Sequence, residues 1–271
     1  MSYGLTRGVP TVGNKTKVLI PSMLEVVPSG GLVNVIQRLA EQIRNVGADA
    51  MILEGLIPVT ERVFLHEEEG PRRALLEEAR KSRPLADVLI ARVFPGVARL
   101  LDSGWADDRL SFVDVTIAAT RLQDAVRTLG RFHLPAPDLA TLLMIVPHWE
   151  QHSLPATFAA EHLRSIGAPT RLLSGLCTTE IVGHARRSGP SAILLSAGSY
   201  RSVGRLPDLI RALRKDVPRA IPIIVGGPAM SRDAEALKRT GADLATNNIV
   251  EALKFSGFDL RTLNTSLIEG M

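Results

Sequence analysis

The first half of the chain spaces its apolar residues as amphipathic helices do. Apolar positions recur every three or four residues over 32–46, and further helical stretches follow over 72–81 and 85–101. A fourth helix is predicted to begin at Ser111, because Ser111 and Asp114 have the spacing of a capping box and a long apolar stripe follows them. The first 130 residues are therefore predicted to form a helical bundle.

The pattern changes after a linker near 130–138, where Pro135 and Pro137 deny the backbone a helix. Five short apolar runs then alternate with helical segments. The runs lie at 142–146, 171–174, 192–196, 221–225 and 243–246, and the helical segments lie near 154–166, 178–187, 205–215 and 231–240. Such alternation predicts parallel strands covered on both faces. We expect an α/β fold, with a doubly wound, flavodoxin-like sheet of five parallel strands.

These two patterns divide the 271 residues into four segments. We predict an N-terminal extension (1–30), a helical bundle that caps the second domain (31–132), a Rossmann-like domain (139–255) and a C-terminal tail (256–271). Two domains also agree with the usual size of roughly 150 residues for one domain.

Composition excludes several classes of protein. Hydrophobic residues make up 45% of the chain and charged residues 22%, as in globular proteins, and a net charge of +4 is too small to indicate nucleic-acid binding by bulk electrostatics. The single cysteine, Cys177, excludes an internal disulfide and a cysteine-rich zinc site. No apolar run approaches the roughly 20 residues of a membrane span, and no signal peptide is visible. We therefore expect a cytoplasmic protein without membrane contact.

Candidate ligand contacts follow the predicted strands, because ligands of doubly wound sheets bind beyond the carboxyl ends of the strands. Glu150 and His152 follow the first strand, Ser196 ends the third, and Gly226 and Gly227 end the fourth. An imidazole can ligate a metal through one ring nitrogen while a carboxylate holds the other. Taken singly, each feature has a plainer explanation. A histidine in a loop is commonly a solvent-exposed residue, paired glycines commonly form a tight turn, and a serine at a strand end can bond to its own loop. Glycine-rich nucleotide motifs and the zinc-protease motif His-Glu-x-x-His are absent.

Taken together, these residues resemble the motif set of the cobalamin-binding domain family, Asp-x-His-x-x-Gly, Ser-x-Leu and Gly-Gly. The resemblance implies that His152 is the lower axial ligand of cobalt in a base-off cobalamin and that Glu150 is its hydrogen-bonding partner. It also implies that Ser196 contacts the benzimidazole of the nucleotide tail, and that Gly226 and Gly227 line the cavity for this tail.

The helical half carries a second resemblance. The stretch 105–123 is similar to the cap helix of the AerR/PpaA cobalamin-binding antirepressors of photosynthesis genes. The resemblance to the cobalamin-binding domain family implies that Trp105 lies above the corrin, at the position where the helical cap of that family carries an aromatic residue, and that Ser202 is the serine that completes the family's histidine–carboxylate relay. The similarity to the antirepressors further implies a light- or redox-responsive regulator that uses hydroxo- or adenosylcobalamin. The implied partner is a redox-responsive transcriptional repressor of the CrtJ/PpsR type.

Three departures from the family pattern carry their own expectations. Pro155 stands in place of the motif glycine and predicts a reshaped loop beneath the corrin. Gly198 stands in place of the apolar third residue of Ser-x-Leu and predicts a roomier tail pocket. Val115 and Thr116 occupy the positions where light-sensing cobalamin repressors carry Glu-His, so we expect a different upper contact.

Several alternatives stay open at this point. The chain could be a corrinoid methyl carrier of a methyltransferase system, a heme-binding redox sensor with His152 on iron, or a scaffold that binds no tetrapyrrole. His148 and His133 are the nearest spare imidazoles for a second axial ligand. The arginines between 201 and 219 are interrupted by acidic residues and are interpreted as a solvated helix face, so direct contact with DNA is not expected.

Overall fold

The computed structural model describes residues 50–130, 142–231 and 233–263, together with the isolated positions 31, 34, 37, 38 and 41. Most of the predicted helix over 32–46 lies outside the described residues. The same holds for most of the predicted linker, including Pro135 and Pro137, and for His133.

The helical half is a run of short helices. Its described elements are α1 (Ala50–Leu65), α2 (Gly70–Lys81), α3 (Arg83–Val88), a π-helical turn (Leu89–Val93), α4 (Phe94–Ala106) and α5 (Phe112–Gly130). The helix predicted over 72–81 is confirmed as α2. The helix predicted over 85–101 is α3, the π-helical turn and α4 in direct succession. The sequence pattern does not predict α1, which contains Pro58 in its interior.

The predicted capping box at the start of α5 is confirmed. The Asp114 N–H donates to Ser111 Oγ and the Ser111 N–H donates to Asp114 Oδ2, both at 3.1 Å. Behind this cap, Leu122 is fully buried in the core of the helical half. Phe64 and Phe94 meet edge to face in the same core, with their ring centroids 5.6 Å apart. The apolar stripe of α5 therefore packs inward, as its spacing indicates.

The second half is a parallel sheet with helices on both faces. Its strands are β1 (Leu142–Pro147), β2 (Thr170–Leu176), β3 (Ala192–Ser196), β4 (Ile223–Gly226) and β5 (Leu244–Ala245). Its helices are α6 (Leu154–Ser165), α7 (Thr178–Ser188), α8 (Tyr200–Asp216), α9 (Ala234–Lys238) and α10 (Ile249–Phe255), with 3-10 turns at Pro228–Ser231 and Leu260–Thr262. The strand order is β2-β1-β3-β4-β5, with every pairing parallel. The predicted flavodoxin-like α/β fold is confirmed.

Strand register sorts the sheet side chains into two layers. Ile145 pairs with Leu195, and both pack toward α7 and α8. Met144 pairs with Leu194, and both pack toward α6 and α10. The adjacent strands β1 and β3 thus lead into helices on opposite faces of the sheet. Their carboxyl ends form the topological switch point, where ligands of such sheets bind.

Helix α6 joins the two halves. Its Phe158 side chain belongs to the core of the helical half, whereas Ala160 and Leu163 pack against the sheet. The end of α5 also lies on α6, because a Cβ added at Gly130 would collide with the Glu161 carboxylate. The helical half therefore rests on the helix that follows the β1 loop. None of the helices in the described ranges is both long and apolar enough to cross a membrane.

Candidate cofactor-binding site

The loop after β1 holds the imidazole of His152 in a fixed orientation. Glu150 Oε1 accepts from the His152 backbone N–H at 2.7 Å and lies 2.9 Å from His152 Nδ1. The Glu150 side chain is fully buried, whereas 56% of the His152 side chain is exposed. The carboxylate therefore occupies Nδ1 from the protein side and leaves Nε2 for a ligand.

Glu150 is itself held by the end of β3 and the first turn of α8. The Gly198 N–H donates to Glu150 Oε2 at 2.6 Å, and the Ser202 hydroxyl donates to the same carboxylate. Ser202 Oγ lies 2.9 Å from Ser199 Oγ, the side chain that caps α8. The structure thus brings together His152, Glu150 and Ser202, which the resemblance had predicted to act as a relay.

The pKa of Glu150 reflects this environment. Burial raises the pKa of this carboxyl, but hydrogen bonds from Ser202, Gly198 and His152 together outweigh it, so that the pKa lies below its ordinary value. Glu150 is therefore an anion at neutral pH. An anionic partner at Nδ1 favours the tautomer with its proton there, which leaves the lone pair of Nε2 available to a metal.

His152 opens onto a depression that we call the His152 hollow. It has a volume of about 350 Å³ and is lined by His148, Trp149, Gln151, His152, Ser199, Arg201 and Arg205. His148 lines this hollow too, but its Nδ1 lies 3.3 Å from the Leu176 carbonyl oxygen at the end of β2. The structure therefore places the predicted second ligand in the same hollow as His152, with its ring directed at the sheet.

A second space, the sheet-end cavity, lies between the strand ends and helices α6 and α10. Its volume is about 320 Å³, near the lower end of small-molecule pockets, and most of its wall is apolar. Ser196, Gly226 and Gly227 line it, which brings all three predicted tail-contact residues to one place. Pro155 also lines it from the first turn of α6, where a proline fits because that turn needs no N–H donor.

Both glycines of the pair are required by close backbone packing. A Cβ at Gly226 would lie 2.5 Å from the Thr246 carbonyl oxygen, and one at Gly227 would lie 2.6 Å from the Ala197 carbonyl oxygen. Gly227 also has a φ of +112°, which residues with a side chain rarely adopt. The pair therefore shapes the cavity mouth through the backbone.

One expectation needs correction. Gly198 is not among the residues that line the sheet-end cavity, so it does not make that space roomier. It packs under His152 instead, because a Cβ at this position would lie 2.7 Å from His152 Cγ and 2.9 Å from Glu150 Oε1. The missing side chain makes room for the histidine–carboxylate pair, and the N–H of the same residue binds it.

The residue that is predicted to lie above the corrin, Trp105, belongs to the helical half. Trp105, near the end of α4, is 52% exposed, and three apolar side chains at the start of α5 are exposed as well: Phe112, Val113 and Ile117. Farther along α5, Gln123 Nε2 donates to Ser153 Oγ at 3.1 Å, directly after His152. A hydrogen bond thus ties α5 to the His152 loop.

Sequence reasoning missed two polar contacts of the site. Gln123 is one of them. The other is Asn247, whose Oδ1 accepts from the Gly227 N–H at 2.6 Å and whose Nδ2 donates to the Gly227 carbonyl oxygen at 3.2 Å. Asn247 follows the fifth strand, so reading the residues after every strand would have found it. Gln123 carries no comparable signal in the sequence.

The donor set fits a metal that arrives with most of its own ligands. Among the described residues there is no group of three or more His, Cys, Asp or Glu side chains that could hold an ion. A single oriented imidazole cannot bind a free transition metal well, but it can supply one axial position to a metal already held in a macrocycle. The site therefore fits a metal tetrapyrrole better than a free ion.

Comparison with known proteins first defines a class. The chain has the fold of the monomethylamine corrinoid protein of Methanosarcina barkeri, with a TM-score of 0.58, 16% identity, and coverage of 74% of this chain and 96% of that one. A cobalamin-binding protein from Desulfitobacterium hafniense DCB-2 gives a TM-score of only 0.38 at 15% identity, over 74% of this chain and 97% of that one. The class is thus a corrinoid-protein fold with an oriented histidine at its switch point.

The sequence comparison then gives the family. The chain is 32% identical over 190 residues to the uncharacterized 20.5 kDa protein in the bchF-crtJ intergenic region of Rhodobacter capsulatus. The match covers 69% of this chain and 98% of that protein, so the chain belongs to the same family. No protein-family model matches the chain.

Proposed function

We propose that the protein is a cobalamin-binding regulator in which His152 Nε2 is the lower axial ligand of cobalt. One observation carries the proposal: Glu150 holds Nδ1 at 2.9 Å, while the rest of the imidazole faces the His152 hollow. The corrinoid-protein fold and the glycine-lined cavity beside β4 support the same assignment.

Adenosylcobalamin would supply a cobalt–carbon bond that light can break, whereas hydroxocobalamin would supply an exchangeable oxygen ligand. The chain would supply the lower imidazole, its anionic partner Glu150 and a cavity for the nucleotide tail. In that cavity Ser196 offers a hydroxyl for a ring nitrogen, whereas Met144, Leu194 and Ile224 offer apolar walls. In the proposed complex Trp105 covers the upper face of the corrin, and the ligand is hydroxo- or adenosylcobalamin.

A regulatory role needs a path from the cofactor to the rest of the molecule. Such a path begins at His152 and continues into α6, whose Phe158 lies in the core of the helical half. The Gln123–Ser153 hydrogen bond adds a second link. A change of axial ligand that shifted the balance between two arrangements by about 1.4 kcal/mol would change the occupancy of a partner tenfold.

The proposed regulator is an antirepressor of the AerR/PpaA type that responds to light or redox state. This assignment is supported by the likeness of 105–123 to the cap helix of those proteins and by the bchF-crtJ location of the relative. The proposed partner is a redox-responsive repressor of the CrtJ/PpsR type, and the effect on DNA runs through that partner. We place the protein in the cytoplasm and assign it no catalytic step of its own.

A methyl-carrier role is the second candidate, because the fold is that of a monomethylamine corrinoid protein. A carrier must accept a methyl group on reduced cobalt. Reduction of the holoprotein in the presence of a methyl donor therefore separates the two roles. Methylcobalamin should form on a carrier and should not form on the proposed regulator.

Spectra of reconstituted protein test the proposal. Wild type, His152→Ala and the control His184→Ala, on α7 outside the hollow, are titrated with hydroxocobalamin and adenosylcobalamin in the dark and after illumination. We expect histidine-ligation bands in the wild type and the control, and their loss in His152→Ala. Unchanged bands in His152→Ala would show that the assignment is wrong, and a bis-imidazole Soret band in the isolated protein would indicate heme. His148→Ala should leave the dark spectrum unchanged, because that ring faces the Leu176 carbonyl.

A further inference from the structure

Helix α8 presents two arginines to the His152 hollow. Arg201 and Arg205 are one helical turn apart and both line the space into which His152 opens. The Arg205 guanidinium carbon lies 6.0 Å from the centroid of the Trp149 ring, within cation–π range. Two guanidinium groups and the imidazoles of His148 and His152 thus share one small depression.

No carboxylate balances this charge within the part of the chain that the structure describes. Neither arginine makes an ion pair there, and the lining of the hollow contains no acidic side chain. Glu150 lies behind His152, but it is buried and its oxygens are taken by Gly198, Ser202 and His152. The hollow is therefore electropositive.

This arrangement is unfavourable without a ligand. Like charges at positions i and i+4 of a helix repel each other. Outside the hollow, on the same helix, Arg211 Nη1 donates to Asp208 Oδ1 at 2.6 Å. This arginine therefore has a carboxylate partner on α8, in contrast to the two arginines of the hollow. An anionic group in the hollow would relieve the repulsion between Arg201 and Arg205.

The helix that carries the two arginines is held at a fixed place relative to His152. Ser202, between them on α8, donates to Glu150, and Glu150 in turn holds His152 Nδ1. One carboxylate therefore fixes both the metal-binding imidazole and the helix that carries the arginines. A macrocycle whose metal sits on Nε2 would extend its edge over the same hollow.

We infer that Arg201 and Arg205 form a subsite for an anionic group, a carboxylate or a phosphate, on the tetrapyrrole that His152 binds. The inference rests on the proposed function and adds a determinant of ligand choice to it. Guanidinium groups suit this role, because they pair with carboxylate and phosphate oxygens in a bidentate geometry. The anionic group could be the phosphate of a corrinoid tail or a carboxylate at the edge of a porphyrin.

Paired ligands test the subsite and distinguish these two sources. Cobalamin is compared with cobinamide, which lacks the phosphate-containing tail loop and its base, and heme is compared with its dimethyl ester. Each ligand is titrated spectroscopically into wild type, Arg201→Gln/Arg205→Gln and the control Arg211→Gln/Arg219→Gln, which removes two charges of α8 and its following turn outside the hollow. Titrations at low and high salt measure the electrostatic part of each affinity.

We expect the hollow variant to lose at least tenfold more affinity for the member of one pair that carries the anionic group than for the member that lacks it. The affinity of the hollow variant for that ligand should depend less on salt than the affinity of the wild type does. The control variant should behave as wild type. The pair that shows the difference identifies the anionic group. Equal losses within both pairs, or no loss, would overturn the subsite.

The subsite and the proposed function fail in different ways. If His152→Ala keeps the axial bands while the anion preference disappears in Arg201→Gln/Arg205→Gln, the ligation by His152 is wrong, and the two arginines bind the anionic group of a tetrapyrrole that another residue holds. If His152→Ala loses the bands but the hollow variant shows no preference, the subsite alone is wrong. A wild type that binds none of the four ligands would refute both.

Discussion

The substitution Gly198→Ala offers a sharp test of how His152 is held. The backbone of Gly198 is outside the left-handed region, so alanine meets no conformational barrier there. Its new Cβ would nevertheless lie 2.7 Å from His152 Cγ and 2.9 Å from Glu150 Oε1. The closest atom is His152 Cβ, which would lie only 2.4 Å away, whereas an ordinary contact begins at 3.4 Å. The His152 side chain and its backbone must therefore move by about 1.0 Å, or the loop must give way.

The size of the effect follows from the bond that this movement breaks. His152 Nδ1 lies 2.9 Å from an anionic carboxylate, and hydrogen bonds to charged groups are worth about 1.5–3 kcal/mol. Loss of that bond should weaken binding of a His152-ligated tetrapyrrole by roughly 10- to 100-fold, at 1.4 kcal/mol for each factor of ten. Overpacking should also lower the free energy of unfolding by about 1–3 kcal/mol.

The assay is a titration with hydroxocobalamin, followed by the axial-ligand bands and combined with chemical denaturation. Gly204→Ala is the matched control, because a Cβ added at this exposed glycine of α8 would have nothing within 4 Å. The control should bind as wild type does and should unfold slightly less readily, because alanine stabilises a helix interior by roughly 0.5–1 kcal/mol over glycine.

Wild-type affinity and wild-type axial bands in a folded Gly198→Ala protein would refute the reasoning. That outcome would mean that the orientation of His152 does not depend on the space beside Gly198.

Three further predictions concern the residues around this pair. Ser202→Ala should raise the pKa of Glu150 and weaken binding of the tetrapyrrole several-fold, as titration would show, because it removes a hydrogen bond to the carboxylate. The folded-state pKa of Glu150 lies below its ordinary value, so its contribution to stability is complete above about pH 4.5 and is lost as the pH falls through the folded-state pKa. Denaturation curves of Glu150→Gln should therefore show a weaker acid dependence than those of wild type, and parallel curves would contradict this. Gly227→Ala should lower the free energy of unfolding by more than Gly175→Ala does, since both glycines have a positive φ but only Gly227 is also crowded; equal losses would refute that account.

Much of the fold follows from local patterns in the sequence. The capping box of Ser111 and Asp114 and the apolar stripe behind it predict α5, because a cap and a helical face depend on residues only a few positions apart. The five short apolar runs likewise predict the five strands. The spacing of Glu150 and His152 belongs to the same kind of information, since their contact spans two residues of one loop.

The first turn of α8 shows where local patterns are insufficient. The sequence pattern predicts this helix near 205–215, and that range would put Pro207 in the first turn, where prolines are favoured. In the structure α8 begins at Tyr200, capped by Ser199, and it accommodates Pro207 in its interior while Leu206 and Leu209 are buried. Packing against the sheet thus outweighs the local preference, and the earlier start places Ser202 beside Glu150.

The sequence by itself determined the two-part architecture, the parallel sheet and the histidine–carboxylate pair, because each depends on spacing within a short segment. Only the tertiary structure decided that the Gly198 N–H, 48 residues away, binds Glu150, and that Arg201 and Arg205 share a hollow with His152. These contacts exist because the strand order places β3 beside β1, and no local periodicity encodes which strand ends become neighbours.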